Sequence, residues 1–281
     1  MPQKVRSQKI LSWGEYKGWI DKLVKKGKRS YYYRGHANET WKLQTSFHRK
    51  ANINNITLPQ YLDLIIPEIH YHISAVRDEI IDLNNQHEFA ALLALIQHHG
   101  FPTPLLDWTL SPYIAAYFAF REVDDLHPQS ENVKIYFFDY VEWSRSFQQP
   151  QDLKDMTTPY VSILRPYAKF NPRIIPQQGV FTVTNVDDME AHIHSCEVTS
   201  NKKFLYSPSL SVKEKPAVLR ELNLMGINEM TLFPGISGIC QALKTQFFSA
   251  ETIGLTISEI FETLGKTKPE TSNISKKPRR N

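Results

Sequence analysis

The sequence predicts an α+β fold formed by a single domain, in which a helical N-terminal half packs on a mixed or antiparallel sheet. Helical periodicity dominates the first part of the chain, and the strand-like segments come mostly later, which is the order expected of an α+β arrangement. With 281 residues, of which 41% are hydrophobic and 12% aromatic, the chain can bury a substantial core. The sequence has no internal repeat.

The N-terminal half contains most of the predicted helices. Ser12 and Glu15 have the spacing of a capping box, and an apolar helical stripe follows them. The other predictions for this half are a strand at 31–35, mixed loop and turn structure at 41–49, and helices at 58–83 and 86–98, the first of them bent or restarted at Pro67.

The second half contains most of the predicted strands. Ser111 followed by Pro112 is typical of a helix start, and β-branched and aromatic residues make 133–139 a strong strand. The other predictions are strands at 179–185, 202–207 and 227–233, helices at 216–224 and 236–247, the second of them in the core, and a polar, disordered tail from Lys266.

Charge divides the chain into three segments. Residues 1–29 form a basic N-terminal segment with a short helix and a net charge of +7, and residues 266–281 carry +5, which leaves −8 between them. The main domain is predicted at 30–250, followed by a C-terminal segment at 251–281. Because the body is acidic, the overall charge of +4 does not imply a nucleic-acid surface on it. The basic ends either contact nucleic acid or an acidic partner, or are solvated.

The composition predicts a cytoplasmic protein with no membrane partner. No apolar run approaches the ~18 residues of a membrane span, and the N-terminus lacks the apolar region of a secretory signal. Cys196 and Cys240 cannot build a disulfide framework, which agrees with a reducing compartment. His192, His194 and Cys196 alternate as on one face of a strand, but no fourth ligand lies near them, and we expect no metal site.

Polar residues that interrupt the aromatic strand segments are the first candidates for a functional site. Arg34 ends the strand that begins YYY, and Gly35 lets the backbone turn there or a ligand approach it. The guanidinium either binds a phosphate or a ribose, or it pairs with a carboxylate. Asp107 lies between Leu106 and Trp108 and needs a partner if it is buried, so Arg34 is its obvious candidate.

Three later segments add further candidates. Thr109 and Ser111 precede the helix at Pro112, where free N–H groups can bind an anion; the alternative, favoured for Ser111, is helix capping. Gln177, Gln178 and Gly179 precede a strand, and the glutamines either bind a sugar or base or form a turn. Glu229 falls within the predicted strand at 227–233. It lies either on the solvent-exposed side of an edge strand or at a reaction centre.

Four ordered motifs resemble the FRG domain family, which is named after its aromatic-Arg-Gly motif. They are YYYRG, QHHGFPTPLLDWTLSPYIAAYFAF, NPRIIPQQGVFT and GINEMTLFPGI, and together they extend over about residues 10–245. The family usually places an arginine after PT in the second motif. Pro104 stands at that position here, so a role for that arginine does not carry over to this chain.

The order of an early strand arginine, a central strand-to-helix segment and a late glutamate also resembles the plan of ADP-ribosyltransferases. This resemblance implies an ADP-ribosyltransferase-like fold and NAD as a substrate, with Glu229 and Arg34 as catalytic residues. The ring of Tyr33 or Trp108 would stack on the nicotinamide. The NAD contacts that it implies are Tyr33, Arg34, Gly35, Asp107, Trp108, Thr109, Ser111 and Gln178.

The implied function is transfer of ADP-ribose from NAD to a macromolecule, as in bacterial toxins and anti-phage defence proteins. RNA or DNA is an expected acceptor because both chain ends are basic, and protein is equally allowed. A neutralising antitoxin protein is an expected partner. The alternative is a non-catalytic module that binds a nucleotide or a partner in the same pocket without turnover.

Overall fold

The computed structural model of this chain describes residues 10–25, 27, 31–124, 127–150, 153, 157–167, 171–248, 259 and 262. Helices cover both faces of a central sheet in an α+β fold. The strands are β1 (Ile10–Leu11), β2 (Tyr31–His36), β3 (Leu105–Thr109), β4 (Asn132–Asp139), β5 (Val161–Leu164), β6 (Gly179–Thr184), β7 (Leu205–Tyr206) and β8 (Ser209–Ser211).

The helices come both before and between the strands. They are α1 (Trp13–Lys25), α2 (Ser46–Asn54), α3 (Leu58–Gln60), α4 (Ile66–Ser74), α5 (Gln86–His98), α6 (Pro112–Arg121), α7 (Tyr140–Ser146), α8 (Met189–Ser200), α9 (Lys215–Leu224), α10 (Glu229–Leu232) and α11 (Ile236–Phe248). A π-helical turn at Tyr61–Ile65 joins α3 to α4, and a 3₁₀ turn at Val212–Glu214 precedes α9.

The sheet is mixed, with the strand order β1-β8-β4-β2-β3-β6-β5 and with β7 paired to β4. β1 and β8 are parallel, and the other pairs are antiparallel. β2 pairs with β4 along its whole length, from Tyr31↔Asp139 to His36↔Lys134. In contrast, Tyr33↔Thr109 is the one registered pair between the described strands β2 and β3. The sheet is therefore open between β2 and β3 beyond Tyr33.

Apolar side chains on the two faces of the sheet divide the core into three clusters. On one face, α1, α6 and α9 pack over β2 and β4, and α2 to α5 pack over β3 and β6. On the other face, α7 and α8 cover a cluster that includes Tyr32, Trp108 and Phe138. The seam between the two clusters of the first face lies where β2 and β3 diverge, between α5 and α6.

Close packing of α6 against β2 requires a glycine in the aromatic strand. A Cβ atom on Gly35 would stand 2.0 Å from the main-chain oxygen of Ala115 and 2.7 Å from the nitrogen of Ala119. No side chain fits there unless the helix moves. The space that the sequence interpretation offered to a ligand at Gly35 is thus taken on this side by the helix backbone.

Several predicted elements are confirmed. α1 begins with the Ser12–Glu15 capping box, in which the main-chain nitrogen of Ser12 donates to the Glu15 carboxylate at 2.9 Å. The helix predicted at 58–83 ends at Ser74, but its restart at Pro67 is confirmed. The proline lies in the first turn of α4, where its missing N–H leaves no hydrogen bond unmade.

The strand predicted at 227–233 is wrong, because this segment contains the helix α10. Asn228 caps the helix and forms a capping box with Thr231, so local side-chain hydrogen bonds outweigh the alternating pattern of the sequence. Glu229 therefore occupies the first turn of a helix rather than a strand.

Two other local interpretations are also wrong. Residues 192–196 lie inside α8, which Asp188 caps, so the alternating histidines and Cys196 do not share a strand face. The mixed segment 41–49 contains the start of α2, where the Thr45 side chain accepts from the His48 nitrogen. In both segments, a side chain accepts a hydrogen bond from the main-chain nitrogen three residues later and so caps the start of the helix.

The predicted helix at 236–247 is present as α11, but it is not a core helix. Ile236 is 80% exposed and Ile239 46% exposed, and α11 packs mainly against α10. α1, in the predicted basic N-terminal segment, instead contributes Trp13 and Tyr16 to the main core. The disordered tail predicted from Lys266 lies outside the described residues, and no helix within those residues is long and apolar enough to cross a bilayer.

Candidate active site

A pocket of about 320 Å³ lies at the seam between α5 and α6, over the opening between β2 and β3. The start of β6 and Phe233, which follows α10, complete its walls. Its polar and charged lining consists of Arg34, Gln97, His98, Asp107, Thr109, Glu122, Asn171, Arg173 and Gln177.

The pocket collects most of the site residues that the sequence predicts. Three of them do not line it. Ser111, Gln178 and Glu229 lie outside, although Gln177 and Gly179 on either side of Gln178 contribute to the wall. The predicted residues in the lining are Tyr33, Arg34, Gly35, Asp107, Trp108 and Thr109.

Arg34 reaches into the opening between the two strands and has no direct ionic partner there. Its Nη1 donates to the main-chain oxygen of Asp107 at 2.7 Å, and its Nε donates to Nε2 of His36 at 3.0 Å. Among the described residues these are its hydrogen bonds, and no carboxylate oxygen lies within 4.0 Å of it. The pairing with the Asp107 carboxylate, which the sequence left open, is therefore not formed.

His36 holds the Arg34 guanidinium from behind. Because its Nε2 accepts from Arg34, the ring proton belongs on Nδ1, which lies 3.3 Å from the main-chain oxygen of Trp41. Burial, with a further contribution from the charge of Arg34, lowers the pKa of His36 to about 3, so the ring is neutral at physiological pH. The sequence interpretation missed His36. His36 follows Arg34 by two residues on the same strand, so the alternation of side chains places both on one face.

Asp107 presents its carboxylate to the pocket from β3. Oδ2 accepts from Nε2 of Gln97 at 2.6 Å, and Oε1 of Gln97 in turn accepts from the Thr103 hydroxyl. The side chain is exposed to the pocket, but protein surrounds it on the other sides, and this enclosure raises the pKa of Asp107 against the opposing effects of Arg34 and Gln97.

Glu122 and Arg173 add one charge of each sign to the lining. Glu122 follows α6, with a 56% exposed side chain and Arg121 at 3.7 Å. The Arg173 guanidinium lies 5.0 Å from the centre of the Phe233 ring, and Arg121 lies 4.6 Å from the same ring. Burial lowers the pKa of the neighbouring His98, and Arg173 lowers it further.

Trp108 and Thr109 have structural partners. The Trp108 ring packs against Phe138 in the core of the opposite face, and its Nε1 donates to the Thr182 hydroxyl at 2.9 Å. The Thr109 hydroxyl donates to the main-chain oxygen of Gln177 at 2.8 Å, which ties the end of β3 to the wall before β6. Stacking of a ligand ring on Trp108 is not favoured by this packing.

Ser111 and Gln178 also serve the local fold. The Ser111 side chain accepts from the Ile114 nitrogen and caps α6, as the sequence favoured. Gln178 adopts a left-handed conformation with φ of 49°, and its main-chain oxygen accepts from Leu110. Its turn directs Gln177 rather than Gln178 towards the pocket.

Glu229 forms a nearly buried ion pair beside the pocket. Its Oε1 accepts from Nε of Arg121 at 2.7 Å, and its side chain is 11% exposed. Burial raises the pKa of Tyr117, and the charge of the adjacent Glu229 adds to this effect. The carboxylate that the sequence assigned to catalysis thus holds an arginine beneath Phe233.

The residues of the pocket and its supporting hydrogen bonds that the sequence interpretation missed are His36, Gln97, Thr103, Glu122 and Arg173. Gln97 and Thr103 belong to the motif that includes Asp107, and Arg173 to the motif that includes Gln177. The positions of Gln97, Thr103 and Arg173 within these motifs could have indicated them as candidates, but their contacts depend on the packing of α5 and α6. Pro104, at the position of the usual family arginine, is buried next to Thr103.

The comparisons with known proteins point to one family. The model of the FRG domain matches residues 29–127, which include the first two motifs and the residues of β2, β3, α5 and α6 that form the pocket. The third and fourth motifs lie beyond the matched residues. No curated protein and no solved structure matches the chain. The chain carries an FRG domain at residues 29–127.

Proposed function

We propose that the pocket binds NAD and that the protein transfers ADP-ribose from NAD to a macromolecule. The observation that carries the proposal is the state of Arg34: a guanidinium at a pocket, held in place from behind, with no carboxylate within 4.0 Å among the described residues. Arginines removed from bulk water are usually paired. An anionic ligand supplies the missing partner, and a phosphate matches the planar fork of N–H groups.

A second arginine makes the pocket suitable for a ligand with more than one negative group. The Arg173 guanidinium lines the pocket and stacks on Phe233, with no carboxylate within 4.0 Å in the described part of the chain. In our proposal Arg34 and Arg173 bind the pyrophosphate of NAD. Stacking on an aromatic ring fixes a guanidinium plane and limits the entropy lost on binding.

The two pocket carboxylates suit the ribose. Cleavage of the bond between nicotinamide and ribose builds positive charge on the sugar, as in glycoside cleavage, and carboxylates near the sugar stabilise that charge. Asp107 and Glu122 line the pocket, whereas Glu229 pairs with Arg121 outside it. We therefore place Asp107 and Glu122 beside the ribose, where they act on the positive charge that builds up during cleavage.

The aromatic walls suit the flat rings of the ligand. Phe118 and Phe233 contact each other edge to face, with their centres 6.0 Å apart, and both line the pocket. Tyr33 lies on the adjoining strand. Such walls bind a nicotinamide or an adenine through its apolar faces and exclude water from the reacting bond.

The acceptor and the biological setting are proposed from the basic chain ends and from the resemblance to ADP-ribosyltransferases. RNA, DNA or protein is the proposed acceptor, a toxin or an anti-phage effector is the proposed role, and a neutralising antitoxin is the proposed partner. The second candidate function is a nucleotide-binding module without turnover. It is favoured by one observation, the engagement of Glu229 with Arg121 rather than with the pocket.

Incubation of the purified protein with NAD separates the two functions. The transferase releases nicotinamide and labels added RNA, DNA or protein with ADP-ribose. The binding module raises its melting temperature with NAD but forms no product. A protein that neither binds NAD nor releases nicotinamide contradicts both. Exchange of Lys202, whose pair with Glu142 lies on the surface, gives a matched control variant: Lys202→Met should behave as the wild type.

A further inference from the structure

The Asp107 carboxylate stands at an unusual place for an acid, the middle of a central strand. The neighbours of this residue on β3, Leu106 and Trp108, are 3% exposed, whereas Asp107 is exposed to the pocket. This exposure exists because β2 diverges from β3 beyond the Tyr33↔Thr109 pair. The opening between the strands therefore gives a ligand direct access to the carboxylate.

A directed chain of hydrogen bonds fixes the orientation of this carboxylate. The Leu105 nitrogen donates to the Thr103 hydroxyl at 3.3 Å, and the hydroxyl donates to Oε1 of Gln97. Because the amide oxygen of Gln97 is engaged, its Nε2 group faces Asp107 and donates to Oδ2 at 2.6 Å. The relay leaves Oδ1 without a side-chain partner among the described residues.

The charged and titratable groups around Asp107 come from each packed element. Arg34 lies on β2, Glu122 at the end of α6, His98 on α5 and Arg173 before β6. The enclosure raises the pKa of the Asp107 carboxyl, which makes its ionised form a stronger proton acceptor, and the Arg34 charge limits the shift. Glu122 is less suited to this role because its side chain is 56% exposed and lies 3.7 Å from Arg121.

We infer that Asp107 is the proton acceptor of the transfer step, an inference that rests on the proposed function. The bond between the ribose C1′ and the nicotinamide nitrogen breaks, and nicotinamide leaves with the electron pair. An O–H or N–H group of the acceptor forms the new bond to C1′ and gives its proton to Oδ1 of Asp107. Glu122 lies beside the sugar and takes no proton in this step. Gln97 and Thr103 are positioning residues that aim the carboxylate.

The test uses NAD with methanol as a small acceptor, so that no macromolecular acceptor needs to be known. Wild-type protein is expected to release nicotinamide and to form both methyl ADP-ribose and ADP-ribose. Asp107→Asn should lower the rates at which methyl ADP-ribose and ADP-ribose form by about 100-fold or more, while NAD binding, measured by calorimetry, persists. Circular dichroism checks that the variant folds. Glu122→Gln should weaken NAD binding as well as turnover, and this difference separates the two carboxylates.

The positioning role of Thr103 has a readout of its own. Thr103→Val should lower kcat by about tenfold with little change in KM, and Thr103→Ser should restore it. In protein labelled with ¹³C at the aspartate carboxyl carbons, the Asp107 signal is expected to titrate above the usual aspartate range near pH 4. Titration at or below that range would overturn the role of Asp107 as proton acceptor, because its raised pKa comes from enclosure, while the hydrogen bond from Gln97 lowers it. A Thr103→Val variant with wild-type kcat would overturn the relay.

The two failures are distinguishable. Wild-type turnover together with an equally active Asp107→Asn variant overturns the assignment of Asp107 and leaves the proposed function standing. A wild-type protein that binds NAD but releases no nicotinamide overturns the proposed transferase and the proton acceptor together. Loss of NAD binding in Asp107→Asn also contradicts the inference, since it makes Asp107 a binding residue.

Discussion

Arg34 and Glu229 are two polar residues that the sequence placed in one site, and the structure surrounds them differently. Arg34 lines the pocket, and among the described residues it bonds only to a neutral imidazole and a main-chain carbonyl. Glu229 lies outside the lining and pairs with Arg121 at 2.7 Å. A charge whose partner is already supplied by the fold has a structural role, whereas a held charge without an ionic partner can accept one from a ligand.

The difference extends to the elements that hold the two residues. Arg34 lies on β2, near the middle of the sheet, where Gly35 allows α6 to pack directly on the strand. Glu229 begins the short helix α10, which is followed by the exposed helix α11. The first region is part of the main core and the second lies at its margin, so mutations in them should have effects of different size.

The largest loss is expected from Gly35→Ala. The added Cβ would meet the main-chain oxygen of Ala115 at 2.0 Å, and α6 must move to admit it. We expect a loss of roughly 3 kcal/mol or more in the free energy of unfolding, measured by urea denaturation. Gly179→Ala is the control, because its Cβ would lie 3.5 Å from the nearest atom, and it should cost under about 1 kcal/mol. Equal losses in the two variants would contradict the packing account.

An intermediate loss is expected from Glu229→Ala. Removal of the carboxylate leaves the Arg121 Nε without its 2.7 Å acceptor in a partly buried position. We expect a cost of about 1–3 kcal/mol by thermal or urea unfolding. Glu142→Ala breaks a more exposed pair with Lys202 and should cost under about 1 kcal/mol. A Glu229→Ala variant as stable as Glu142→Ala would show that the ion pair has little structural role.

The pH dependence of stability should depend on His36. Its pKa is lowered to about 3 in the folded protein and is near 6.5 when unfolded, so between these values the unfolded state binds more protons. The stability that depends on neutral His36 is complete above the unfolded value and is lost as the pH falls towards 3. His36→Gln should reduce the slope of unfolding free energy against pH by up to ~1.4 kcal/mol per unit.

A second histidine provides a comparison for this measurement. Burial lowers the pKa of His48 to about 4, so His48→Gln should reduce the slope over a narrower pH range. Urea unfolding between pH 4 and 6 measures both variants. An unchanged slope in His36→Gln would contradict a neutral, buried imidazole behind Arg34.

The sequence predicts the central elements well, because their signals are local and strong. The three tyrosines of β2, the Ser12–Glu15 capping box and the Ser111–Pro112 helix start each depend on neighbouring residues. The alternating pattern at 227–233 misled because Asn228 and Thr231 form a capping box within it. The Asn cap, between Gly226 and Gly235, was the signal for a short helix.

The site is less predictable than the fold, because its geometry is set by packing between distant segments. The second motif predicts Asp107, but the relay to it depends on α5, which brings Gln97 beside both Thr103 and the strand. Arg34 is predicted from YYYRG, whereas its freedom from a carboxylate depends on where β2 and β3 diverge. The hydrophobic pattern of the sequence and the propensities of its residues do not indicate where β2 and β3 diverge.

Calorimetric titration of NAD into wild-type protein, Arg34→Lys and Glu229→Gln tests the central claim most directly. Arg34→Lys should change stability by under about 1 kcal/mol, less than Glu229→Ala, because lysine keeps the charge and can donate to one of the same acceptors, and no carboxylate loses a partner. It should weaken NAD binding about tenfold or more, since lysine cannot replace the planar fork. Glu229→Gln should retain wild-type affinity. Wild-type affinity in Arg34→Lys, or loss of binding confined to Glu229→Gln, would contradict the account.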